Sequence, residues 1–277
     1  MISMILKPNK KSSDPSSYRP ISLLPTLGKL LERIMVLQIT EYMVQNNLLN
    51  HFQAGFKKRK SCVHQLLRLS EHISKWFGKR SGGRTVVLFI DAKKAFDSVW
   101  LDGLRKQLYD AKLPIEIVRW LSSFLHNRCG RVRVNSCISE IVALLAGEPQ
   151  GSILAPLLYI FFIKDMPTEN SQELISSFYA DDTSYAASED NRKNRKVFPA
   201  DHLQRIIINL EEHCSKWRIG LNPSKTLCLN FYQKKENDNS PRLWLRGELV
   251  KYQKEIKFLG ITFDQNLTFK AHIDGTH

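Results

Sequence analysis

Residues Phe178-Tyr179-Ala180-Asp181-Asp182 place two adjacent carboxylates between one apolar, β-like run and another that continues to Ala187. Upstream, Leu88-Phe89-Ile90-Asp91 ends a further apolar run on a third carboxylate. A tight turn that holds two like charges side by side is costly unless a cation neutralises them, so the pair is a candidate divalent-metal site. Taken alone, the pair reads better as an ordinary polar turn, because Asp is common there. Asp91 in a matching context, and a set of ordered motifs along the chain, reverse that balance.

Outward from these carboxylates the pattern alternates between helix and strand. Thr85 to Ile90 is continuously β-branched and aromatic and reads as a core strand, while Leu174 to Ala187 reads as strand, Asp-Asp turn and strand. Between them a helix is expected from Trp100 to Ala111, bounded by Pro114. Arg131 to Asn135 alternates as an exposed strand with cations on one face, Gly147 to Gly151 is a loop, and residues 153–163 form an all-apolar helix. Towards the N-terminus, residues 12–20 are a loop of turn formers. Gly28 to Asn46 then carries Leu30, Leu31, Ile34, Met35, Tyr42 and Met43 at the spacing of an amphipathic helix. The basic run Lys57–Lys60 precedes a helix from Ser61 to Phe77, and Ser81-Gly82-Gly83 breaks the chain. Towards the C-terminus come a charged loop at 189–196, a helix from Ala200 to Trp217, and strand character near Thr226–Phe231 and Lys257–Phe263. This mixed order, with hairpins, predicts an α+β fold.

Composition narrows the function. The 277 residues are long enough for one large or two modest domains, and 43% hydrophobic content marks a globular protein. A net charge of +14 points to a polyanionic partner. An anionic membrane competes as that partner, but no basic amphipathic helix stands out. Ile153 to Ile163 is too short to span a bilayer, and Lys7, Lys10 and Lys11 interrupt any signal-peptide pattern. Five cysteines without CxxC spacing fit a reducing intracellular compartment with no structural zinc.

The motifs that follow stand in one order. They are Leu6-Lys7-Pro8-Asn9-Lys10 with Tyr18-Arg19-Pro20-Ile21-Ser22-Leu23-Leu24, then Gln53-Ala54-Gly55-Phe56-Lys57, then Phe89-Ile90-Asp91-Ala92-Lys93-Lys94-Ala95-Phe96-Asp97. Next are Gly147-Glu148-Pro149-Gln150-Gly151-Ser152 with Ala155-Pro156, and Tyr179-Ala180-Asp181-Asp182. The last are Lys216 to Thr226 and Lys257-Phe258-Leu259-Gly260-Ile261. In this order the chain resembles the reverse transcriptase of non-LTR retrotransposons, in particular the jockey-like elements of animals, from about Ile5 to His272.

That resemblance implies a right-hand polymerase fold with fingers at 1–84 and an antiparallel-sheet palm at 85–266. A fingers-like insertion is expected at about 113–146, and 267–277 as the start of a thumb that is largely missing. It implies RNA-directed DNA polymerase activity, with an RNA template, a DNA primer, deoxynucleoside triphosphates and no membrane. It also implies an intracellular, nuclear site of action with a cytoplasmic ribonucleoprotein stage. Nucleotidyl transfer moves negative charge onto the attacking 3′ oxygen and the leaving pyrophosphate, and two magnesium ions about 3.5–4 Å apart can stabilise both. Manganese is a possible substitute. Asp91 and Asp181 are the expected ligands; Asp182 is implied as a third that supports the site electrostatically. Lys225 would donate a proton to departing pyrophosphate.

For the nucleotide, Arg19 is the expected triphosphate clamp, since guanidinium pairs with phosphate oxygens, and Lys7 and Lys57 stand behind it. Ala92 belongs to the same nucleotide site. Phe96 would lie under the incoming sugar and exclude a 2′-hydroxyl; a core Phe is its plainer reading. Gln150 offers an amide to sugar or template, and Gly151 permits close backbone approach. Phe258, Leu259 and Gly260 are the implied primer grip. Lys93, Lys94 and Asp97 read more simply as solvated or helix-entry residues. The basic runs at Lys57–Lys60, Arg128–Arg133 and Arg192–Lys196 are solvated faces that include nucleic-acid contacts in so basic a chain.

The chain departs from the family at Lys57, usually Arg, at Glu148, usually apolar, and at Ala155, often Ser or Gly. Its end just after the last motif, and the lack of an upstream endonuclease, suggest a fragment or a decayed copy. Three rivals remain at this point. A catalytically inert nucleic-acid-binding remnant is separated by primer extension. A group II intron-like maturase or viral RNA-dependent RNA polymerase is disfavoured by Phe96 and by the last two motifs. A basic membrane-surface protein has little support.

Overall fold

The computed structural model describes residues 1–8, 10–79, 83–190, 199–232 and 242–275. The charged stretch 189–196 and the basic run Arg192–Lys196 therefore fall largely or wholly outside the described residues, as does most of the break at Ser81–Gly83. Along the chain come β1 (Ile2–Leu6), β2 (Tyr18–Ser22), α1 (Thr26–Gln45), α2 (Cys62–Phe77) and β3 (Gly83–Ile90). After these are α3 (Leu101–Asp110), α4 (Ile115–Leu125), β4 (Cys129–Gly130), β5 (Val132–Val134), β6 (Cys137–Ile138), β7 (Val142–Ala143) and α5 (Ala155–Phe162). The remainder is β8 (Leu174–Tyr179), β9 (Asp182–Asp190), α6 (Pro199–Lys216), β10 (Leu227–Tyr232), β11 (Trp244–Leu245) and β12 (Glu248–Leu249). It closes with β13 (Lys251–Gln253), β14 (Glu255–Phe258), β15 (Ile261–Asp264) and α7 (Lys270–Asp274). The chain is α+β and divides into two compact units, residues 1–50 with 94–164 and residues 51–93 with 165–277.

The second unit is built on a five-stranded sheet in the order β13-β10-β3-β9-β8. β3 lies at its centre, antiparallel to both β10 and β9. Val87 and Phe89 of β3 share a core with Leu66, Leu69 and Ile73 of α2 and with Phe231, Ile256 and Phe263. Strand residues alternate between faces, so Val86, Leu88 and Ile90 turn to the other side. They are buried too, and α6, which packs on β9 and β3, buries Leu203, Ile206, Ile207 and Leu210. Burial on both faces is why β3 reads as an unbroken apolar run rather than an alternating one.

The first unit joins a four-stranded sheet, β2-β1-β5-β6, to helices α1, α3, α4 and α5. α5 buries every residue except Pro156, as its unbroken apolar sequence requires, and Gln107 of α3 donates to the Phe162 carbonyl at its end (3.2 Å). Pro114 does more than bound α3. It is the N-cap residue of α4, a helix not foreseen from the sequence, in which Val118, Leu121 and Leu125 face inward. A second difference concerns Lys257–Phe263, which is a hairpin rather than one strand. Phe258 pairs with Ile261 across Leu259 (φ 49°) and Gly260 (φ 87°), the two positive-φ positions of a tight hairpin turn.

A third difference is the face of α1. Leu30, Leu31 and Ile34 point outward, while the buried positions are Glu32, Ile39 and Met43. α1 is apolar nearly all round, so the periodicity of its leucines could not choose a face. Among the described residues no helix is long and apolar enough to cross a membrane. All five cysteines carry free thiols.

Candidate active site

The Asp181-Asp182 pair sits where β8 turns into β9. Tyr179 pairs with Asp182 across the two-residue turn Ala180-Asp181, and Ala180 holds a positive φ of 56° that costs a non-glycine residue energy. Residues 52–55 hold this turn in place. Gln53 is buried, and its side-chain Oε1 accepts from the backbone N–H of Ala180 (2.8 Å) and of Gly55 (2.7 Å) while its Nε2 donates to the Ala180 carbonyl (3.3 Å). The Ala54 N–H donates to the Phe178 carbonyl (2.9 Å), and Gln65 of α2 donates to the carbonyls of Phe52 and Phe178. Gly55 must be glycine for a steric reason: a Cβ there would lie 2.3 Å from the Ala180 nitrogen. This explains the Gln53-Ala54-Gly55 motif, whose role the sequence alone left undefined.

Asp91 follows Ile90 at the end of β3, and Ile90 pairs with Thr183 of β9. The next residue on one strand is Asp91 and on the other Asp182, so the two carboxylates share one end of the central sheet with Asp181. The loop 220–226 laces onto Asp91. Its backbone carbonyl accepts from the Asn222 N–H (2.9 Å), and Oδ2 accepts from the Asn222 side-chain amide (3.0 Å). Lys225 Nζ stands 3.9 Å from the same Oδ2. Both side chains are open to water, so this ion pair steers more than it stabilises. Ala92 forms an isolated bridge with Leu221, and the Lys93 N–H donates to the Gly220 carbonyl (2.7 Å). Asn222 was not anticipated as a site residue; its place beside Lys225 in the Leu221–Thr226 motif was the available signal.

The electrostatics fit a cation site. Partial burial first, and then the negative charges of Asp181 and Asp91, push the Asp182 carboxyl up to about 6. Asp182 nonetheless sits on an open turn, so water screens part of that repulsion. Among the described residues, no three His, Cys, Asp or Glu side chains stand close enough together to hold a metal unaided. The three carboxylates thus share one sheet end without closing into a ready-made metal cage. Asp91 turns an oxygen to Asn222 and Lys225 instead. The donors are all carboxylate oxygens at the end of a rigid sheet, which suits a hard divalent ion that keeps several waters.

The first unit holds the other half of the expected residues. Gln150 is tied at both ends: its carbonyl accepts from the Ser22 N–H of β2 (2.6 Å), and its amide donates to Asp97 Oδ1 (2.7 Å). Gly151 has φ 103°, and a Cβ there would come within 2.8 Å of the Ser22 carbonyl. Asp97 does enter a short 3-10 helix, Phe96–Ser98, but it is not solvated. It is half-buried, and burial raises its carboxyl against the lowering effect of Gln150 and of Lys94 and Lys7. Lys7, Tyr18, Lys94, Asp97, Arg128 and Gln150 line a cavity of about 400 Å³.

The loop 147–152 is clamped from both sides. Arg128 Nη2 donates to the carbonyls of Ala146 (3.2 Å) and Gly147 (2.5 Å), so this cation works inside the fold rather than on the basic face expected of Arg128–Arg133. Glu32 of α1 accepts through Oε2 from the Ser152 hydroxyl (2.6 Å) and from the N–H groups of Ile153 (2.7 Å) and Leu154 (3.2 Å). Glu148 is buried, and burial pushes its carboxyl well up despite the Arg128 charge. Burial favours the neutral acid, the form nearest to the apolar residue more usual at that position.

Phe96 is half-buried, with its ring 4.4 Å from that of Tyr159, centroid to centroid. Arg19 is exposed on β2 opposite Ile5, and Lys7 Nζ donates to the Ser16 carbonyl (2.9 Å). In the second unit Lys57 is half-buried, and its ammonium is lowered first by burial and then by Lys60. Phe258 is buried in the core there, whereas Leu259 and Gly260 form the hairpin tip.

A sheet that ends in paired carboxylates, beside a Tyr-Ala-Asp-Asp hairpin, belongs to nucleic-acid polymerases. Residues 5–263 match the family Reverse transcriptase (RNA-dependent DNA polymerase), and the chain belongs to that family, whose members generally use a divalent metal ion. It is 36% identical to the "Probable RNA-directed DNA polymerase from transposon BS" of Drosophila melanogaster, over 99% of this chain and 30% of that protein. It is 34% identical to the RNA-directed DNA polymerase from mobile element jockey of Drosophila funebris, over 98% of this chain and 29% of that one. The chain thus spans about a third of the length of these relatives. Among solved structures, telomerase from Candida tropicalis in complex with a fragment of telomeric RNA aligns with a TM-score of 0.60 at 11% identity, covering 93% of this chain and 43% of that one. Apo telomerase from the same organism aligns with a TM-score of 0.59 at 12% identity, covering 97% and 48%. The fold is that of a right-hand polymerase.

Two predictions follow from this geometry. Gly55→Ala should destabilise the second unit by about 1–3 kcal/mol, the cost of overpacking a closed contact, as read by urea unfolding. Asp182 carries a carboxyl raised in the folded state from 3.8 to about 6, so its stabilising contribution is full below about pH 4 and is lost as pH rises through 6. Without divalent ions, Asp182→Asn should therefore melt about 2 °C or more above wild type at pH 8, a modest value because the turn is screened by water, and the gap should close by pH 4.

Proposed function

We propose that this chain is the polymerase part of a non-LTR retrotransposon reverse transcriptase. It extends a DNA 3′ end on an RNA template, adding deoxynucleotides from their triphosphates by two-metal nucleotidyl transfer. The observation that carries the reading is Asp91 at the end of the central strand beside the Asp181-Asp182 hairpin, in a chain of net charge +14. The names of the jockey and transposon BS relatives support it. The RNA in the telomerase complex supports an RNA partner.

Asp91 and Asp181 would hold two magnesium ions, with manganese as a substitute, and Asp182 would add its charge to theirs. When bound, these ions supply Lewis-acid stabilisation to the attacking and leaving oxygens. The remaining work falls to the chain's own groups. Asn222 fixes Asp91 by its amide, and Lys225, beside the same oxygen, is placed to protonate the leaving pyrophosphate. Arg19 offers paired donors to the triphosphate, with Lys7 and Lys57 adding charge. Ala92 lies against the substrate, and Gln150 and Gly151 form the wall that receives base and sugar. Phe96 sets the floor under the ribose, and Phe258, Leu259 and Gly260 grip the primer. On this reading residues 1–84 are fingers and 85–266 palm, with an insertion at about 113–146, and 267–277 lead into a thumb. A DNA primer end implies work in the nucleus.

Primer extension on a primed RNA template tests the reading. Wild type should incorporate deoxynucleotides with magnesium, and incorporation should fall steeply between about 50 and 200 mM salt as phosphate contacts are screened. Asp181→Asn should lower the rate by about a thousandfold, the scale of losing a principal electrostatic stabiliser, without loss of folded protein. An inactive wild type that still binds primed RNA would instead support a binding remnant.

The ring of Phe96 should select sugar by contact. Phe96→Val should admit ribonucleotides while sparing deoxynucleotide use, measured as the ratio of the two incorporation rates on one template. A purely packing role against Tyr159 predicts an unchanged ratio, with stability lower by about 1–3 kcal/mol.

A further inference from the structure

α1 buries Glu32, Ile39 and Met43 and leaves the opposite side uncovered. On that side Leu27, Leu30, Ile34, Leu37 and Val44 are between 49 and 80% exposed. Their spacing alternates three and four residues, and Glu41 fills the one remaining position of the same stripe. This three-four alternation is the spacing at which a coiled coil places its core positions. Five exposed aliphatic side chains in one line form a patch of the kind that marks an interaction surface.

The sequence of the stripe chooses its occupant. Read antiparallel against itself, the stripe is self-complementary: Leu27 meets Val44, Leu30 meets Glu41, and Ile34 meets Leu37. In that alignment Arg33, exposed beside the seam, lies within one helical turn of the partner's Glu41. A parallel pairing would instead put Glu41 against Glu41, two like charges in one core layer. A two-fold axis is also the commonest way for a soluble chain to cover such a surface. We propose that α1 is a dimerisation helix, pairing antiparallel with α1 of a second copy of this chain across the Leu27–Val44 stripe.

A helix of 20 residues is about 30 Å long. One helix pair of that length is at the small end of specific interfaces, so the dimer should be reversible with a dissociation constant in the micromolar range, on the order of 1–100 µM. The inference stands apart from the polymerase reading, because it concerns a face on the far side of α1 from Glu32 and its contacts with residues 152–154.

Sedimentation equilibrium of the purified 277-residue chain, run across that concentration range, is the test. Wild type should pass from monomer to dimer. Leu30→Glu with Leu37→Glu should remain monomeric throughout with an unchanged circular dichroism spectrum, since both side chains already face water. Glu41→Leu should move the midpoint about tenfold lower in concentration by removing the charge from the seam. Orientation is read by oxidative cross-linking against the wild-type background. Leu27→Cys mixed with Val44→Cys should give a disulfide-linked pair that neither variant forms alone. A wild-type chain that stays monomeric at about 100 µM, a dimer indifferent to the double glutamate variant, or cross-linking of Leu27→Cys to itself would each overturn the proposal.

Discussion

Carboxylates at one end of a buried sheet repel each other, and the polar contacts around them keep them in place against that repulsion. The cost is visible at Asp182, whose carboxyl is driven up by burial and by its two neighbours. Nothing in the turn itself would hold such a conformation, because Ala180 sits at positive φ without being glycine. The restraint comes from Gln53 and Gly55, one locking the turn by two hydrogen bonds to Ala180 and the other making room for it. Asp91 is held likewise by Asn222, with Lys225 nearby to soften its charge. The arrangement carries an electrostatic cost at Asp182 that a divalent cation, if bound as proposed, would relieve.

The first unit solves a different problem, that of fixing a glycine-bearing loop in one conformation. Gly147, Gln150 and Gly151 have little side-chain packing of their own. They are positioned by groups that reach in from other elements: Arg128 at one end, Glu32 at the other, and Asp97 and Ser22 between. Glu32 accepts three hydrogen bonds through one oxygen, which explains a buried acid on the inner face of a leucine-rich helix.

Much of this was legible in the sequence. The ends of β3 and β8 could be read because fully buried strands leave unbroken β-branched and aromatic runs, so Asp91 and Asp181 stood out as charges that end them. Motif order carried the family. What could not be read depended on tertiary partners. The buried face of α1 is not legible because the helix is apolar on both sides, and only the position of Glu32 opposite Ser152 decides which side is inside. Asp97 was read as solvated because its partner, Gln150, lies 53 residues away. α4 is hidden in the sequence because Pro114 reads as a stop to one helix rather than the start of the next. The hairpin at Leu259-Gly260 was read as strand because a leucine at positive φ gives no turn signal. The three carboxylates meet at one sheet end, yet among the described residues they do not close into a ready-made metal cage.

The account rests on the claim that Asp91, Asp181 and Asp182 form one cation site at the end of the central sheet. Manganese binding followed by water-proton relaxation measures this directly. Wild type should show saturable binding at neutral pH, weakening as pH falls below about 6 when Asp182 takes up its proton, and Asp91→Asn should remove it. Equal manganese binding by wild type and Asp91→Asn would contradict the account, because the strand end and the hairpin would then not share a metal.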